Sequence, residues 1–487
     1  EKIQMNVTGS IGDKMQLGIN YNTEASFDFE NKTKLEYTGK EDEIIKKIEA
    51  GNVTFNLPGT LITGSQSLFG LKTDLQFGKL FVSSVFSHQR GQSQKIEVKG
   101  GAQVSEFEVD AADYDANRHF FLSHFFRDNY NDWLKSLPYV NSGVRIQKIE
   151  VWITNKSSST TDTRNILGLM DLGEGYGATG LANFSGRQDF IRPLQGNNQP
   201  VDNTTNQLYS YITQQASGIR TYSQIAALLA PLEAQYDFAG GRDYEKIENA
   251  RRLTENEYNL NEQLGYISLN SALRSDEVLA VAYVYTYQGK TFRVGELSTD
   301  GVSAPQTLVV KLLKGTSLTP KLKTWDLMMK NVYAIGAYQV SPTDFIMDIL
   351  YRKDETGVPV NYIAESGADS AFNRKILLRV MKLDNLDSRS EPNPDGRFDF
   401  IEGTTITAKD GRVFFTQVEP FGKDLRQTIT GGDANKNPIA DKYVFEELYD
   451  STQTKARQLS RKNKFFLSGE YQSASSSEIQ LNAMNIP

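Results

Sequence analysis

The segment KIEAGNVTFNLPGTLITGSQSLFGLKTDLQFGKL (47–80) decides the fold, because its last third alternates apolar with polar residues. Successive side chains of a β-strand point to opposite faces, so residues 71–77 and 80–86 are predicted to be strands with one apolar face. A two-residue turn joins them into a hairpin, which places Phe77 and Leu80 on the same face.

The same alternation opens the chain, where residues 3–7 and 15–21 form another predicted hairpin. Between the two hairpins, residues 41–50 are predicted to be a short helix, and residues 51–70 are punctuated by glycine. Strands with one apolar face occur both in soluble β-sandwiches and in membrane β-barrels. Alternation therefore leaves both architectures open.

Six strings of the chain resemble one known family: LEYTGKEDEII (35–45), the segment 47–80, SQKIEVKGGAQ (93–103), YDANRHFFL (114–122), IEVWITN (149–155) and NILGLMDLGE (165–174). In these strings the chain is similar to the family of SprA and Sov, the outer-membrane translocons of the type IX secretion system. The resemblance is densest over residues 1–175. It is weaker at PDGRFDFIEGTTITAKDGRVFFTQVEP (394–420). Between residues 180 and 330 no motif carries the resemblance, which there depends on the matching segments around it.

The resemblance implies part of a very large outer-membrane β-barrel that passes folded cargo proteins to the cell surface and supports gliding motility. The fold class it implies is mainly β with an α+β insertion. Residues 1–103 would be barrel hairpins with a short helix, residues 104–330 a mixed α+β soluble cap-like domain, and residues 331–487 further strands of barrel or cap. The implied location is the cell outer membrane of a Gram-negative bacterium, with an extracellular portion.

The resemblance also implies partners. These are a lipid-facing barrel of the PorV type, a periplasmic plug protein, secreted cargo with a C-terminal export signal, and outer-membrane lipid. None of these contacts can be assigned to residues of this chain. The predicted strands are too few to close so wide a barrel, so we expect further strands of a longer chain to complete the wall.

In such a barrel the apolar residues of each strand face lipid and the polar residues face a wet lumen. The residues predicted to face outward are Ile3, Met5, Val7, Met15, Leu17 and Ile19. Those predicted to face the lumen are Gln4, Asn6, Thr8, Gln16 and Asn20. Outer-membrane barrels have short periplasmic turns and long outer loops, so the turns at 12–14 and 78–79 would be periplasmic and the insertion at 104–330 would lie outside.

Composition excludes several other functions. The net charge of −7 is dispersed and no strongly basic face is present, so we expect no nucleic-acid partner. The chain has no cysteine, which excludes disulfides, thiolate metal sites and a cysteine nucleophile. No apolar run approaches the roughly 20 residues of a membrane-spanning helix.

Beyond residue 104 the patterns are mixed. Residues 112–137 are predicted to be an amphipathic helix, capped by Asp113 or Asp115, whose broad aromatic face is core or else a docking surface for a partner chain. Two more helices are predicted at 222–236 and 244–253. The remaining predicted strands are 144–155, a hairpin at 279–294, 333–337, 345–351, 376–380, 398–400, 413–415, 465–471 and 479–483.

The three histidines form no metal motif. His119 and His124 stand five residues apart on the predicted helix and therefore face different sides, and no HExxH motif accompanies them. His88 lies apart from both. Capping or exposed histidines are the predicted alternative to a zinc site.

The segment from Asp384 to Gly396 is the best calcium candidate, because closely spaced Asp and Asn side chains supply the oxygen ligands that calcium prefers. Pro394 intrudes into the EF-hand order and no glutamate closes it. An Asn-Pro-Asp-Gly turn around Asp395 explains these residues without an ion.

No catalytic, cofactor or metal site is predicted, and the chain is not expected to be an enzyme. No GxSxG motif, no Walker A motif and no GxGxxG motif directly after a predicted strand is present, so the usual signatures of acyl transfer, nucleotide binding and dinucleotide binding are missing. Asp344, Asp348 and Asp354 could supply a glycosidase pair, but sequence alone does not establish one. Two alternatives to the translocon therefore stay open: a soluble, surface-exposed β-rich binding or adhesion module, and a secreted hydrolase.

Overall fold

The computed structural model describes residues 4–11, 15–22, 32–38, 43–55, 66–77, 80–87, 96–99, 102–156, 162–175, 199–215, 217–353, 358–459 and 461–473. The chain forms two compact units, one of residues 1–93 with 452–458 and one of residues 94–451 with 459–487. The division predicted at residues 103 and 330 remains a prediction.

The first unit contains a six-stranded antiparallel sheet whose strands follow chain order. Its strands are β1 (Gln4–Ile11), β2 (Met15–Asn22), β3 (Lys32–Thr38), β4 (Ile45–Phe55), β5 (Gln66–Phe77) and β6 (Leu80–Ser87). Both predicted hairpins are confirmed, since Val7 pairs with Ile19 and Phe77 pairs with Leu80. The turns at 12–14 and 78–79 lie outside the described residues.

The helix predicted at 41–50 is wrong, because strand β4 begins at Ile45. A register shift between Ile45 and Lys47 marks a β-bulge opposite β5. A bulge inserts one extra residue and breaks the two-residue alternation, so the start of the strand lacked the strand pattern in sequence. Pairing with β3 and β5 on both sides then overrides local helix preference.

The second unit is a mixture of short sheets and short helices. Its strands are β7 (Ile96–Lys99), β8 (Ala102–Asp110), β9 (His119–Phe121), β10 (Val144–Ile153), β11 (Thr163–Leu169), β12 (Tyr244–Arg252), β13 (Tyr258–Asn261), β14 (Tyr266–Leu269), β15 (Leu279–Tyr287), β16 (Lys290–Val294), β17 (Leu308–Lys314), β18 (Val332–Ala334), β19 (Ile346–Arg352), β20 (Pro359–Val360), β21 (Ile406–Thr407), β22 (Arg412–Phe414) and β23 (Phe465–Gln472).

The α-helices are α1 (His124–Trp133), α2 (Leu208–Ser210), α3 (Ile225–Tyr236), α4 (Thr324–Leu327), α5 (Leu377–Val380), α6 (Lys423–Thr430), α7 (Asn437–Ala440), α8 (Glu447–Asp450) and α9 (Gln453–Gln458), of which α9 groups with the first unit. Single 3-10 turns occur at Ala111–Asp113, Ser217–Arg220, Tyr222–Gln224 and Ala434–Lys436, and a π-helical turn at Tyr211–Gln215.

Five strands of the second unit close into a small ring in the order β10, β12, β11, β17, β15, because β15 pairs back onto β10. Only the β11–β17 pair of this ring is parallel. Each ring strand contributes to one buried cluster, which therefore fills the ring with Trp152, Ile166, Ile247, Ala250, Val278, Ala280, Ala282, Val284, Leu297, Leu308, Val310 and Leu312. Strand β16 extends the ring as the predicted hairpin with β15, and Gln288 and Gly289 both adopt positive φ at its turn.

The long helix predicted at 112–137 is much shorter in the structure. Only α1 is helical there, its N-cap is Ser123 rather than Asp113 or Asp115, and β9 precedes it. Strand β9 pairs with β14, and this long-range pairing ends the helical pattern before His124. The aromatic face is core, as predicted: the Phe126 ring packs 5.4 Å from Tyr285 and 6.0 Å from Tyr283 on β15.

The helix predicted at 244–253 is also wrong, because these residues form β12. Tyr244, Ile247 and Ala250 are its buried side chains, at a spacing of three that imitates a helix. The register shifts between the pairs of Ile247 and Ala250, and Asn249 has a φ of +52°. This irregularity gives the strand its helix-like pattern.

Among the other predicted elements, the helix at 222–236 is confirmed as α3, and the strands at 144–155, 345–351, 413–415 and 465–471 are confirmed as β10, β19, β22 and β23. The strand predicted at 333–337 is reduced to β18. Residues 376–380 are helical as α5, and 398–400 lie in a described loop, so both strand predictions are wrong. Residues 479–483 lie outside the described residues.

Gly265, between β13 and β14, fits beneath the Phe126 ring. Its φ is +64°, and a β-carbon there would lie 2.4 Å from that ring. We expect Gly265→Ala to lower the free energy of unfolding by about 3 kcal/mol, because left-handed backbone and displacement of a core ring each cost 1 kcal/mol or more. Gly289→Ala is the matched control, since Gly289 has a φ of +76° and open space around the added carbon. It should cost about 1 kcal/mol in urea denaturation, and equal losses in both variants would contradict the steric argument.

Candidate functional site

One face of the six-stranded sheet carries apolar side chains. The register places these residues of β3 to β6 on that face: Leu35, Tyr37, Ile48, Ala50, Leu71, Thr73, Leu75, Phe77, Leu80, Val82 and Ser84. The exposed fractions of Leu71, Phe77, Leu80 and Val82 are 40%, 50%, 61% and 38%. We call this surface the apolar face. Thr73 and Ser84 are its two polar interruptions.

The opposite face, here the polar face, carries a ladder of paired charges on β4 and β5. It also carries Phe81 of β6, which lies opposite Gln76 and is 69% exposed. Lys47 Nζ lies 3.0 Å from Glu49 Oε1, and Lys72 Nζ lies 3.7 Å from Glu49 Oε2 and 3.5 Å from Asp74 Oδ2. Ser83 Oγ donates a hydrogen bond of 2.5 Å to Asp74 Oδ1. Two cations and two anions thus alternate and neutralise one another.

The connections between strands differ at the two ends of the sheet. In an antiparallel sheet in chain order, the strand ends that residues 12–14, 39–44 and 78–79 connect lie at one end of the sheet, and those that residues 23–31 and 56–65 connect lie at the other. We call these the short-turn end and the long-loop end. The chain leaves β6 at the long-loop end. Transmembrane β-barrels show the same asymmetry, with short turns on the periplasmic side.

Two of the six strands are long enough to cross a bilayer. A β-strand crosses the hydrocarbon core with about 9–11 residues when tilted. Strands β4 and β5 have 11 and 12 residues, whereas β1, β2, β3 and β6 have 8, 8, 7 and 8. An apolar face of this kind, exposed within its own unit, marks a surface that contacts a partner or a membrane.

None of the helices in the described part of the chain combines the length and apolar character needed to cross a membrane.

The histidines considered in the sequence do not share a helix. His119 lies in β9, with Nδ1 2.7 Å from Ser268 Oγ and Nε2 3.1 Å from Asp115 Oδ2. His124 begins α1. Both are buried, so the prediction of exposed histidines is wrong, and His88 lies outside the described residues. Burial alone would raise the pKa of Asp115, but His119 and Arg412 outweigh it and hold that pKa below its usual value.

The calcium candidate is a loop whose carboxylates accept hydrogen bonds from the loop itself and from the neighbouring helix α5. Asp384 Oδ2 accepts from Arg379 Nη2 at 2.9 Å, and its Oδ1 accepts from the Gly396 backbone N–H at 3.1 Å. Asp395 Oδ1 accepts from the backbone N–H of Arg397 at 3.0 Å. Within the ranges that the structure describes, no group of His, Asp and Glu has the arrangement of a metal site.

Two of the three carboxylates considered for hydrolysis lie in the described part of the chain. Asp348 lies in β19, where burial raises the pKa of its carboxyl group. Asp344 precedes that strand, and Asp354 lies outside the described residues.

A buried ion centre in the second unit escaped the sequence analysis. It comprises Glu174 after β11, Lys311 in β17 and His124 at the start of α1. Glu174 Oε1 lies 2.7 Å from Lys311 Nζ and 3.0 Å from His124 Nδ1. Lys311 also donates to the carbonyl oxygen of Met170. The one sequence signal was a lysine inside the apolar run LVVKLLK (308–314), all of which is buried.

Each group of the ion centre has a polar partner. His124 Nε2 lies 3.0 Å from the carbonyl oxygen of Lys323, which only accepts, and Nδ1 faces the Glu174 carboxylate. Burial would raise the pKa of Glu174, but Lys311 and His124 outweigh burial and lower it to about 2. Glu174 is thus held as a carboxylate between Lys311 and His124.

The chain was compared with known proteins, and one family model matches it. A family model named SprA_N and described as "Motility related/secretion protein" matches residues 1–275, which is more than half of the 487 residues. The matched region contains the whole six-stranded sheet and extends through β14. No curated protein matches the chain significantly.

Proposed function

Because this chain belongs to the SprA_N family of motility-related and secretion proteins, in which the SprA and Sov translocons stand, we propose that it is part of the outer-membrane translocon of the type IX secretion system. In this role it passes folded cargo proteins to the cell surface and supports gliding motility. The exposed apolar face of the six-stranded sheet, backed by a polar face of paired charges, carries the proposal.

The proposed action is physical rather than chemical. The apolar face contacts lipid, and the polar face lines a wet passage. Backbone N–H and C=O groups find no partner in hydrocarbon, so a sheet in a bilayer must pair every edge. Strands β1 and β6 are the outer strands of the described sheet, and further strands would pair with them there. We propose no catalytic step and no bound cofactor.

The paired charges suit a passage for many cargoes. Lys47, Glu49, Lys72 and Asp74 neutralise one another, so the wall presents little net charge to a passing protein. The polar face thus contains charged residues, but these residues are paired.

The short-turn end is proposed to face the periplasm and the long-loop end the cell exterior, following the general asymmetry of such barrels. Residues 104–330 are likewise proposed to lie outside. The proposed partners remain a PorV-type barrel, a periplasmic plug and cargo with a C-terminal export signal. Their support is the family resemblance.

Leu71→Arg should abolish outer-membrane assembly and secretion of cargo. Leu71 lies on the apolar face, and an arginine near the middle of a lipid-facing strand costs about 2–4 kcal/mol. The matched control is Gln76→Arg, which adds the same charge to the same strand on the polar face. The measurement is the amount of protein in the outer-membrane fraction, with secreted cargo, in cells whose only copy is the variant.

Normal assembly and secretion in the Leu71→Arg cells would contradict the proposal that this face contacts lipid. A soluble surface-exposed binding module would then be the better interpretation. If neither variant assembled in the outer membrane, arginine would be disturbing the sheet itself. Assembly of Leu71→Gln would then be compared with assembly of Gln76→Leu, to test the apolar face and the polar face without a charge.

A further inference from the structure

Strand β16 is the outer strand of its sheet and pairs, among the described strands, with β15 alone. Tyr287 and Lys290 flank the two-residue turn and therefore bond to each other, and hydrogen bonding alternates along an antiparallel pair. The backbone N–H and C=O groups of Thr291, Arg293 and Gly295 consequently point away from β15. An open edge of this kind accepts a strand from another chain unless something covers it.

Asp202 and Asn203 cover this edge. The Arg293 backbone N–H donates to Asp202 Oδ1 at 2.7 Å, and the Arg293 carbonyl oxygen accepts from the Asn203 backbone N–H at 2.8 Å. The Asn203 side-chain amide accepts from the Gly295 backbone N–H at 2.8 Å and donates to the Gly295 carbonyl oxygen at 3.1 Å. Two residues thus make all four hydrogen bonds that an added strand would make here. We call Asp202 and Asn203 the edge cap.

The residues on either side of the edge cap fix it to the ring. The Val201 carbonyl oxygen accepts a 2.8 Å hydrogen bond from the hydroxyl group of Tyr285, which lies in β15 and is fully buried. Asn206 is 1% exposed, and its Nδ2 donates at 3.0 Å to the carbonyl oxygen of Glu174, after β11. The edge cap is therefore held at both ends by buried hydrogen bonds.

We infer that the edge cap prevents β16 from pairing with β16 of a second copy of this chain. Without the cap, two copies can pair antiparallel about a two-fold axis, with Phe292 opposite Phe292 of the second copy. In this register Thr291 lies opposite Arg293, so the outward backbone groups of both strands meet. Lys290 lies opposite Val294, so no like charges face each other, and the central aromatic pair stabilises the contact.

Disulfide cross-linking tests this pairing, because the chain has no cysteine of its own. Phe292→Cys is placed in the full chain, purified in detergent, with the native cap and also in an uncapped chain that carries Asp202→Ala and Asn203→Ala. In the register above, the two introduced residues form a pair without hydrogen bonds, whose α-carbons lie about 4.5 Å apart, within the span of a disulfide.

Lys290→Cys in the uncapped chain is the matched control. It lies on the same strand and the same face as Phe292, but in this register the two introduced cysteines stand four residues, roughly 13 Å, apart. After oxidation, we expect the uncapped Phe292→Cys chain to give at least about tenfold more disulfide-linked dimer than the capped chain or the control.

Equal dimer yields with and without the cap would overturn the inference that the cap blocks pairing. A yield from uncapped Phe292→Cys no higher than that from the Lys290→Cys control would overturn the pairing of β16 with its copy.

Hydrogen exchange shows that the substitutions open the edge and leave the ring folded. At a protein concentration too low for two copies to pair, the amides of Arg293 and Gly295 should exchange at least about tenfold faster in the uncapped chain, with the protection of β15 and β17 unchanged. If the double substitution unfolds the ring, Asp202→Ala alone opens the Arg293 N–H and keeps the bonds of Asn203, and the cross-linking comparison is made in that chain. Unchanged exchange at Arg293 in Asp202→Ala would overturn the edge cap itself.

Discussion

Lys311→Met is expected to lower the free energy of unfolding of the second unit by about 3–5 kcal/mol. The substitution keeps the length of the side chain but removes the cation 2.7 Å from Glu174 Oε1, in a site where both residues are at most 1% exposed. Breaking a buried ion pair from one side costs this much because the remaining charge stays in a medium that solvates it poorly. Urea denaturation at neutral pH measures the loss.

The matched control for this prediction is Lys156→Met. Lys156 Nζ lies 2.6 Å from Asp276 Oδ1, an equally short contact, but the side chain of Asp276 is 67% exposed. Water solvates both partners there, so the control should change stability little. Equal losses in the two variants would contradict the argument that burial decides the cost.

Acid titration gives a second measurement of the same centre. The folded-state pKa of Glu174, about 2, is depressed from 4.5. A depressed carboxyl pKa contributes stability that is present above about pH 4.5 and is lost as pH falls towards 2, because the unfolded chain then binds the proton first. In Lys311→Met this part of the acid sensitivity should shrink, since the main cation that depresses the pKa has been removed.

Local sequence patterns predicted the hairpins, whose two strands are neighbours in the sequence. The hairpins around Phe77 and around Gln288 were found because a tight turn and a two-residue alternation occur within about ten residues. Strands β4 and β12 were mistaken for helices because an irregular register at each strand broke that alternation. A single extra residue changes the face of every residue after it, and no local pattern records that change.

The candidate sites show the same limit. The apolar face followed from alternation plus strand order, and the family resemblance selected a membrane barrel over a soluble sheet. The buried ion centre could not be found, because His124, Glu174 and Lys311 meet only after three distant elements pack together. Lys311 was the one visible anomaly, as a charge inside an apolar run. Its partner, Glu174, cannot be predicted from the spacing of residues along the sequence.

Helix α1 connects the ring of five strands with the later part of the second unit. Its Phe126 ring packs on β15, while Tyr130 Oη donates a 3.0 Å hydrogen bond to the carbonyl oxygen of Phe415. Arg127 Nη2 lies 2.8 Å from Glu419 Oε1, and Asn131 Nδ2 donates at 2.8 Å to Asp424 Oδ1. One short helix therefore shares contacts with both sides of the boundary predicted at residue 330.

Phe126→Ala is accordingly expected to destabilise both sides together, by about 3–5 kcal/mol, because it empties a large and fully buried ring site that the surrounding strands cannot fill. Hydrogen exchange should show protection falling in β15 and in β22 at the same denaturant concentration. Tyr139→Ala, which removes a ring that is 78% exposed, is the control and should leave both unchanged. Loss of protection in β15 with β22 intact would show that residues beyond 330 fold without α1. That outcome would favour the three-part division predicted from sequence, whereas a common loss makes residues 104–330 and 331–487 parts of one cooperative body.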